Sequence, residues 1–178
     1  FPNVANRIVV TPEGADHIAL GRAHESNQPN FLYVGSSYPH KNLSLLMEAM
    51  EYVDEKISNA KLTLVGKDDT WMKALMRGAR AMEIPVVHQP FTEDSELAKL
   101  YDQATAFIYP SLVEGFGLPP LEAMRRGTPV IASDIPCHRE VLGDAALLVS
   151  PQEPRLLAEA MLRLAKNQSL RSDLSKRG

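Results

Sequence analysis

With one cysteine, Cys137, in 178 residues, no internal disulfide can form, and a reducing compartment is the setting that fits. No apolar run approaches the roughly 18 residues a membrane-spanning helix needs. Neither sign of charge prevails: 19 Lys and Arg stand against 22 Asp and Glu, a formal net charge of -3, so nothing electrostatic favours nucleic acid as a partner. The Gly-x-Gly-x-x-Gly fingerprint of nicotinamide enzymes is missing. His17, His24 and His40 show no metal-ligand spacing with a cysteine or an acid, and no Ser-His-Asp or Cys-His constellation can be assembled. There is no close repeat, no low-complexity segment and no signal-like start, since Phe1 to Arg7 is neither basic nor followed by an apolar core. The remainder is an ordinary soluble composition, 44% hydrophobic and 23% charged. A missing initiator methionine and an ending inside the basic, helical Leu170 to Arg177 suggest a piece of something longer.

What is present is alternation. Short runs that are apolar on both faces occur at 31–35, 61–66, 85–88, 106–110, 129–133 and 145–149, with a further one at Arg7 to Thr11. Between them lie amphipathic stretches: one from Leu43 with Leu46, Met47 and Met50 on a face, then 71–82, a segment after Thr92 that reads as a capping box before Leu97, Leu100 and Tyr101, 119–126, a short helix near Arg139, and 154–166. Strands of about five residues alternating with helices of about twelve predict an α/β fold, a Rossmann-like doubly wound parallel sheet with helices on both faces. The polar stretch from Ala19 to Asn30 predicts an extended surface connection, and 1–178 reads as a single domain.

Two loops stand out for chemistry. After the strand Phe31 to Val34 come Gly35, Ser36 and, just before a helix, Lys41; the glycine lets a ligand approach the backbone and the lysine can meet an anion. Taken alone, that loop is an ordinary βα turn with a solvated lysine. The second loop follows Ala106 to Pro110: Glu114, Gly115, Phe116, Gly117, Leu118, two prolines and Glu122. Prolines at a helix entrance leave the amides of Phe116, Gly117 and Leu118 free at the positive end of the helix dipole, a cradle for an anion. Two carboxylates, one in the loop and one on the first helical turn, suit the vicinal hydroxyls of a sugar or ribose better than paired acid–base work. For Glu122 the plainer explanation is compensation of the helix dipole; for Glu114 it is a surface charge. His88 reads first as a structural histidine, and Asp68-Asp69 as a solvated turn.

Taken together, Phe31-Leu-Tyr-Val-Gly35 with Pro39-His-Lys-Asn42, Leu62 to Gly66, Thr92 to Tyr101, Tyr109 to Met124 and Gly127 to Ser133 resemble the carboxy-terminal half of retaining GT-B glycosyltransferases of family 4, also called glycosyl transferases group 1. Thr11 to Asp16 is similar to that family's interdomain segment, and Glu114 and Glu122, with seven residues between, match its acidic motif. The resemblance implies one half of a GT-B fold: a donor-binding domain, residues 1–30 including an interdomain stub, with the amino-terminal acceptor domain outside this chain.

By the same resemblance the site binds a nucleotide-diphosphate sugar, UDP- or GDP-hexose with a lean to GDP-mannose, for retaining hexosyl transfer to a saccharide or lipid-linked acceptor. Glu122 would accept the ribose hydroxyls and Glu114 the donor hexose hydroxyls. Phe116, Gly117 and Leu118, with Gly115 beside them, would offer amides to the sugar and diphosphate. Gly35, Ser36 and Lys41 would hold the diphosphate, and Val87 to Phe91, with His88 and Gln89, would border the base. Glu114 and Lys41 are the catalytic candidates, Lys41 stabilising the leaving diphosphate. No metal and no other cofactor is expected. Where many relatives carry arginine, this chain has Ser36 and His40, so no guanidinium clamp is assigned. The cytoplasm is the expected location, with peripheral attachment to the inner face of the membrane left open for a full-length protein. The fragment alone is expected to transfer almost nothing. Two alternatives stand: a non-catalytic nucleotide-sugar-binding or assembly module, and a nucleotide-sugar epimerase of GT-B type.

Overall fold

Every strand of the sheet runs parallel to its neighbours. A computed structural model describes residues 14–21, 28–90 and 92–178. Its strands are β1 (Asn30–Val34), β2 (Lys61–Val65), β3 (Val86–Gln89), β4 (Ala106–Tyr109), β5 (Val130–Ser133) and β6 (Ala146–Val149), in the spatial order β3-β2-β1-β4-β5-β6. The expected strand at Arg7 to Thr11 lies outside the described residues. Central strands are apolar on both faces because both are covered. Phe31, Leu32 and Tyr33 of β1, Leu62 and Leu64 of β2, and all of β4 and β5 are buried. β3, at the edge, keeps Val87 at 49% exposure.

The helices are α1 (Leu43–Asp54), α2 (Thr70–Ala81), α3 (Asp94–Gln103), α4 (Leu118–Arg125), α5 (Pro136–Leu142), α6 (Pro154–Lys166) and α7 (Gln168–Arg177). The chain steps outward from β1 through β2 to β3, then returns past β1 to continue β4, β5, β6. Right-handed crossovers in opposite directions put α1 and α2 on one face and α3, α4 and α5 on the other. From β6 the chain returns over the first face, where α6 packs on α1. That contact explains why α1 buries Leu45, Ala49 and Val53 in addition to the four residues of the expected stripe.

Two local expectations change. Thr92 does not cap α3: the helix opens one residue later, with Glu93 at the N-cap, extended at φ -64 and ψ 150, and no side-chain capping bond. The acidic residues Asp94 and Glu96 in its first turn complement the dipole instead. Asp69, read as a solvated turn, accepts the amide of Met72 as the N-cap of α2 and also the Ser37 hydroxyl at 2.7 Å. It thereby ties the loop after β1 to the loop after β2. Gly66 lies so close to this loop that an added Cβ would collide with the Gly35 carbonyl oxygen, which is backbone and cannot swing aside.

The order of strands locates the crevice. β1 and β4 are neighbours, and the chain leaves them in opposite directions, so their carboxyl ends form the switch point where doubly wound sheets hold ligands. The two loops singled out from sequence are the ones that leave β1 and β4.

Candidate functional site

Lys41 ends a 3-10 turn, Pro39–Lys41, in the loop after β1; Glu114 lies in the loop after β4. The switch point brings them together: Lys41 Nζ donates to Glu114 Oε1 at 2.6 Å, with the two side chains only 13% and 10% exposed. Asn42, held at φ 57, is the hinge that lets this happen. Its side-chain amide donates to the carbonyls of Pro110 at 3.1 Å and Pro151 at 2.9 Å, clamping the loop after β1 to the start of the loop after β4. Leu112 N donates to His40 O at 2.8 Å and closes the same seam.

The Tyr109 hydroxyl, at the end of β4, accepts a second N–H from Lys41 at 3.2 Å, and the ammonium stands 5.3 Å from the centre of that ring. An ammonium has three N–H donors, so one remains for a ligand. Burial alone would push the Glu114 carboxyl up. Lys41 and the Ser111 and Tyr109 hydroxyls beside it outweigh that and hold it below the usual carboxylate range. Burial, helped by the negative charge of Glu114, pushes the Tyr109 phenol far up, so it stays protonated. Sequence reasoning gave Lys41 the diphosphate and Glu114 the adjoining hexose, without pairing them. The structure makes them partners, so Lys41 is not a free cation.

Beyond Glu114 the chain turns through Gly115, exposed, and Phe116 to Gly117, whose φ of 93 lies in the left-handed region that favours glycine. Gly117 is the N-cap of α4, with no side chain capping the helix. Among the described residues, the amides of Phe116, Gly117 and Leu118 donate to no other backbone group. The prolines fall at the second and third helical positions, where an N–H would have no intrahelical partner. Three donors are therefore left unpaired at the positive end of an eight-residue helix. Because α4 starts at Leu118, Glu122 is its fifth residue rather than part of the first turn, and no acidic residue sits in that turn. Dipole compensation therefore does not account for it.

Glu122 is held from two sides. The Tyr101 hydroxyl on α3 donates to Oε2 at 2.9 Å, and Nε2 of His17 lies 3.0 Å from Oε1. Tyr101 entered the sequence reading as part of an apolar stripe, and its ring is indeed fully buried. Only its hydroxyl distinguished it from core. His17 belongs to residues 14–21, which lie across the end of α4. Arg125 there donates to Asp16 at 3.0 Å and to the Ile18 carbonyl, while Arg126 donates to the Ala19 and Leu20 carbonyls at 2.8 and 3.1 Å and pairs with Asp102 at 2.5 Å. Nothing in the local sequence of His17 pointed to Glu122, 105 residues away.

The other expected site residues lie around this centre. Gly35 has φ 149, and its neighbour Ser36 presents a carbonyl that accepts the Tyr33 hydroxyl at 2.6 Å. His88 and Gln89 end β3, two strands from β1 and so roughly 10 Å along the sheet. His88 Nε2 binds the Gly66 carbonyl at 2.9 Å, the structural role first read for it, and Gln89 donates to Glu96 at 3.1 Å. Phe91 lies outside the described residues. His138, fully buried, sits 5.5 Å from the Tyr109 ring with Nδ1 on the Ser133 carbonyl at 2.8 Å. Arg139 pairs with Asp134, as a local ion pair. Among the described residues no three His, Cys, Asp or Glu side chains are grouped to hold a metal ion, and no helix is long and apolar enough to cross a membrane.

Comparison with known proteins agrees with this architecture. The sequence profile described as "Glycosyl transferases group 1" matches residues 20–178. The chain is 35% identical over 152 residues to O-antigen chain mannosyltransferase B of Escherichia coli, covering 83% of this chain and 39% of that protein. It is 38% identical over 132 residues to O-antigen chain mannosyltransferase RfbU of Salmonella typhimurium, covering 70% and 35%. The sucrose-phosphate synthase structure from Thermosynechococcus elongatus superposes with a TM-score of 0.79 at 26% identity, over 93% of this chain and 44% of that one. The chain thus spans less than two fifths of the length of these two curated relatives. On its sequence and its sheet, the chain belongs to the glycosyl transferases group 1 family and is a GT-B, family 4 glycosyltransferase domain.

Proposed function

We propose that this domain binds the nucleotide-diphosphate sugar donor of a retaining hexosyltransferase, and that the reaction is completed by an amino-terminal acceptor domain outside this chain. The observation that carries the reading is the meeting of Lys41 and Glu114 at the β1/β4 switch point, beside three unpaired amides at the start of α4. An anionic diphosphate lies with its oxygens on the amides of Phe116, Gly117 and Leu118 and on the remaining N–H of Lys41. The hexose hydroxyls reach Glu114, and the ribose diol reaches Glu122. Gly35 and Ser36 border the diphosphate beside Lys41, and the nucleobase runs along the carboxyl ends of the strands toward the backbone near His88 and Gln89.

Charge decides how such a site would act. Lys41 and Glu114 neutralise each other, so the pair alone adds little net attraction for a dianion. As the glycosidic bond breaks, negative charge grows on the leaving diphosphate, where fixed amides and the Lys41 ammonium already point. Glu114 meanwhile accepts sugar hydroxyls, which leaves the ammonium more of its field for the phosphate. No metal ion is assigned a part in this scheme. Relatives named as mannosyltransferases favour GDP-mannose among the candidate donors, and a saccharide or lipid-linked acceptor fits a hexosyltransferase of this family.

Titration calorimetry of the folded chain with UDP, GDP and their sugars tests the donor site. Micromolar to millimolar binding of one nucleotide series supports it, and no heat with any of them removes it. In a full-length enzyme, the anomeric configuration of the product decides retention, and an isomerised donor without transfer would identify an epimerase instead.

A further inference from the structure

Both oxygens of the Glu122 carboxylate have partners, and these differ sharply in accessibility. Tyr101, on Oε2, is fully buried. Burial, with the charge of Glu122 and their hydrogen bond adding to it, pushes this phenol far above its ordinary range, so the hydroxyl remains a donor at any pH the fold survives. His17, on Oε1, has a side chain 55% exposed, whereas that of Glu122 is 14% exposed. A contact between a carboxylate and a water-washed imidazole is weak and readily exchanged.

The imidazole nevertheless has a fixed footing. Arg125 and Arg126 follow Glu122 by three and four residues, one helical turn on, and their bonds to Asp16, Ile18, Ala19 and Leu20 bind the segment 14–21 to the end of α4. The Gly21 amide adds a bond to the Arg125 carbonyl at 3.3 Å. The same helix that carries the acidic motif therefore carries the grip on this segment, and the grip places His17 over the exposed oxygen of Glu122.

The geometry points to a division of labour at Glu122: Tyr101 is a positioning residue that fixes the buried oxygen, and His17 is a displaceable N–H donor that holds the place of a ligand hydroxyl on the exposed one. The inference rests on the donor-site reading of Glu122 and extends it. A carboxylate offers about four lone pairs, and two are in use here. Acceptor capacity is not exhausted, but a vicinal diol approaching from solvent meets Oε1 first, where the imidazole already stands, and takes its place. Ligand and segment 14–21 thus compete for one acceptor. Occupation of the site releases His17, and loosening of the segment uncovers Glu122.

Calorimetry and melting curves on the 178-residue chain, with UDP and GDP as probes, test this. His17→Ala removes the competitor and is expected to bind the preferred nucleotide about threefold tighter, the weight of a surface pair. His17→Gln restores an N–H donor and should return close to wild type. Tyr101→Phe is expected to bind about tenfold more weakly, as for loss of one hydrogen bond to a charged group, and to discriminate less between the ribose and 2′-deoxyribose forms of the nucleotide. The His17 ring proton resonances should move when nucleotide is added. Unchanged affinity in His17→Ala with an unmoved His17 resonance overturns the inference while the nucleotide site stands, and unchanged binding in a folded Tyr101→Phe overturns its positioning half. Should Tyr101→Phe fail to fold, the two His17 variants decide. Absence of nucleotide binding in the folded wild type removes the donor site and this inference with it.

Discussion

Glu114 and Glu122 belong to one motif, with seven residues between them, and the fold gives them opposite surroundings. Glu114 sits inside the switch point against a cation, both side chains nearly buried, and its carboxyl is held below the ordinary range. Glu122, on α4 and nearly as covered at 14% exposure, lies against a neutral buried hydroxyl and an exposed imidazole. The first is part of a charged cluster that adds to the Asn42 clamp between the two loops. The second is an acceptor with one buried and one exposed partner. Identical side chains thus divide into an inner group, locked to a covered cation and suited to the reacting sugar, and an outer one, bordered by an exposed imidazole and suited to recognition.

Breaking the inner pair should have the largest effect. Lys41→Met leaves Glu114 buried without its cation and is expected to destabilise the fold by about 3 kcal/mol, the lower end for such pairs because water reaches the rim. Denaturant unfolding measures it, and adding Glu114→Gln should recover part of the loss, since removing both charges abolishes the mismatch. Next comes Glu114→Gln by itself. In a full-length enzyme carrying this domain it is expected to lower turnover about 100-fold while changing nucleotide affinity little, the pattern for a group acting at the reacting sugar. The outer group should show a different pattern: Glu122→Ala is expected to weaken nucleotide binding about tenfold and to cost about 1 kcal/mol of stability, because the buried Tyr101 hydroxyl loses its acceptor. If both variants changed the same parameter by the same factor, the contrast between inner and outer carboxylates would be lost.

The smallest effect separates the inner cluster by pH. Burial pulls the His138 imidazole below its ordinary value of 6.5, against the Ser133 bond and the charge of Glu114. The unfolded chain therefore takes up this proton first, and the stability is present above pH 6.5 and lost as pH falls below it. Glu114, also depressed, contributes stability that is present above pH 4.5 and lost below it. Melting temperature should decline in two windows, with His138→Gln flattening only the upper one and Glu114→Gln only the lower.

Much of the fold was legible because a parallel sheet covered on both sides demands strands that are apolar on both faces. From Phe31 to Val149 the six runs read from sequence match β1 to β6 to within a residue or two at each end. Boundaries that depend on capping were less legible. Thr92 looked like a cap, yet α3 opens after Glu93, and α4 begins at Leu118, one residue before the prolines suggested. The acidic motif and the glycine turn were visible as residues, and Gly117 at φ 93 shows why glycine stands there. Tyr101 was not visible as a site residue, because at helical spacing a tyrosine in an apolar stripe differs from core only by a hydroxyl whose partner lies on another helix.

The sequence by itself determined the layered α/β architecture, the two loops that carry chemistry and the presence of two carboxylates, all properties of local pattern. Tertiary structure alone decided the partnerships: Lys41 with Glu114 across 73 residues, Tyr101 with Glu122 across 21, His17 with Glu122 across 105. The reason is physical. Which loops meet depends on the order of strands in the sheet, and strand order is set by crossovers and packing of the whole chain, which local periodicity does not encode.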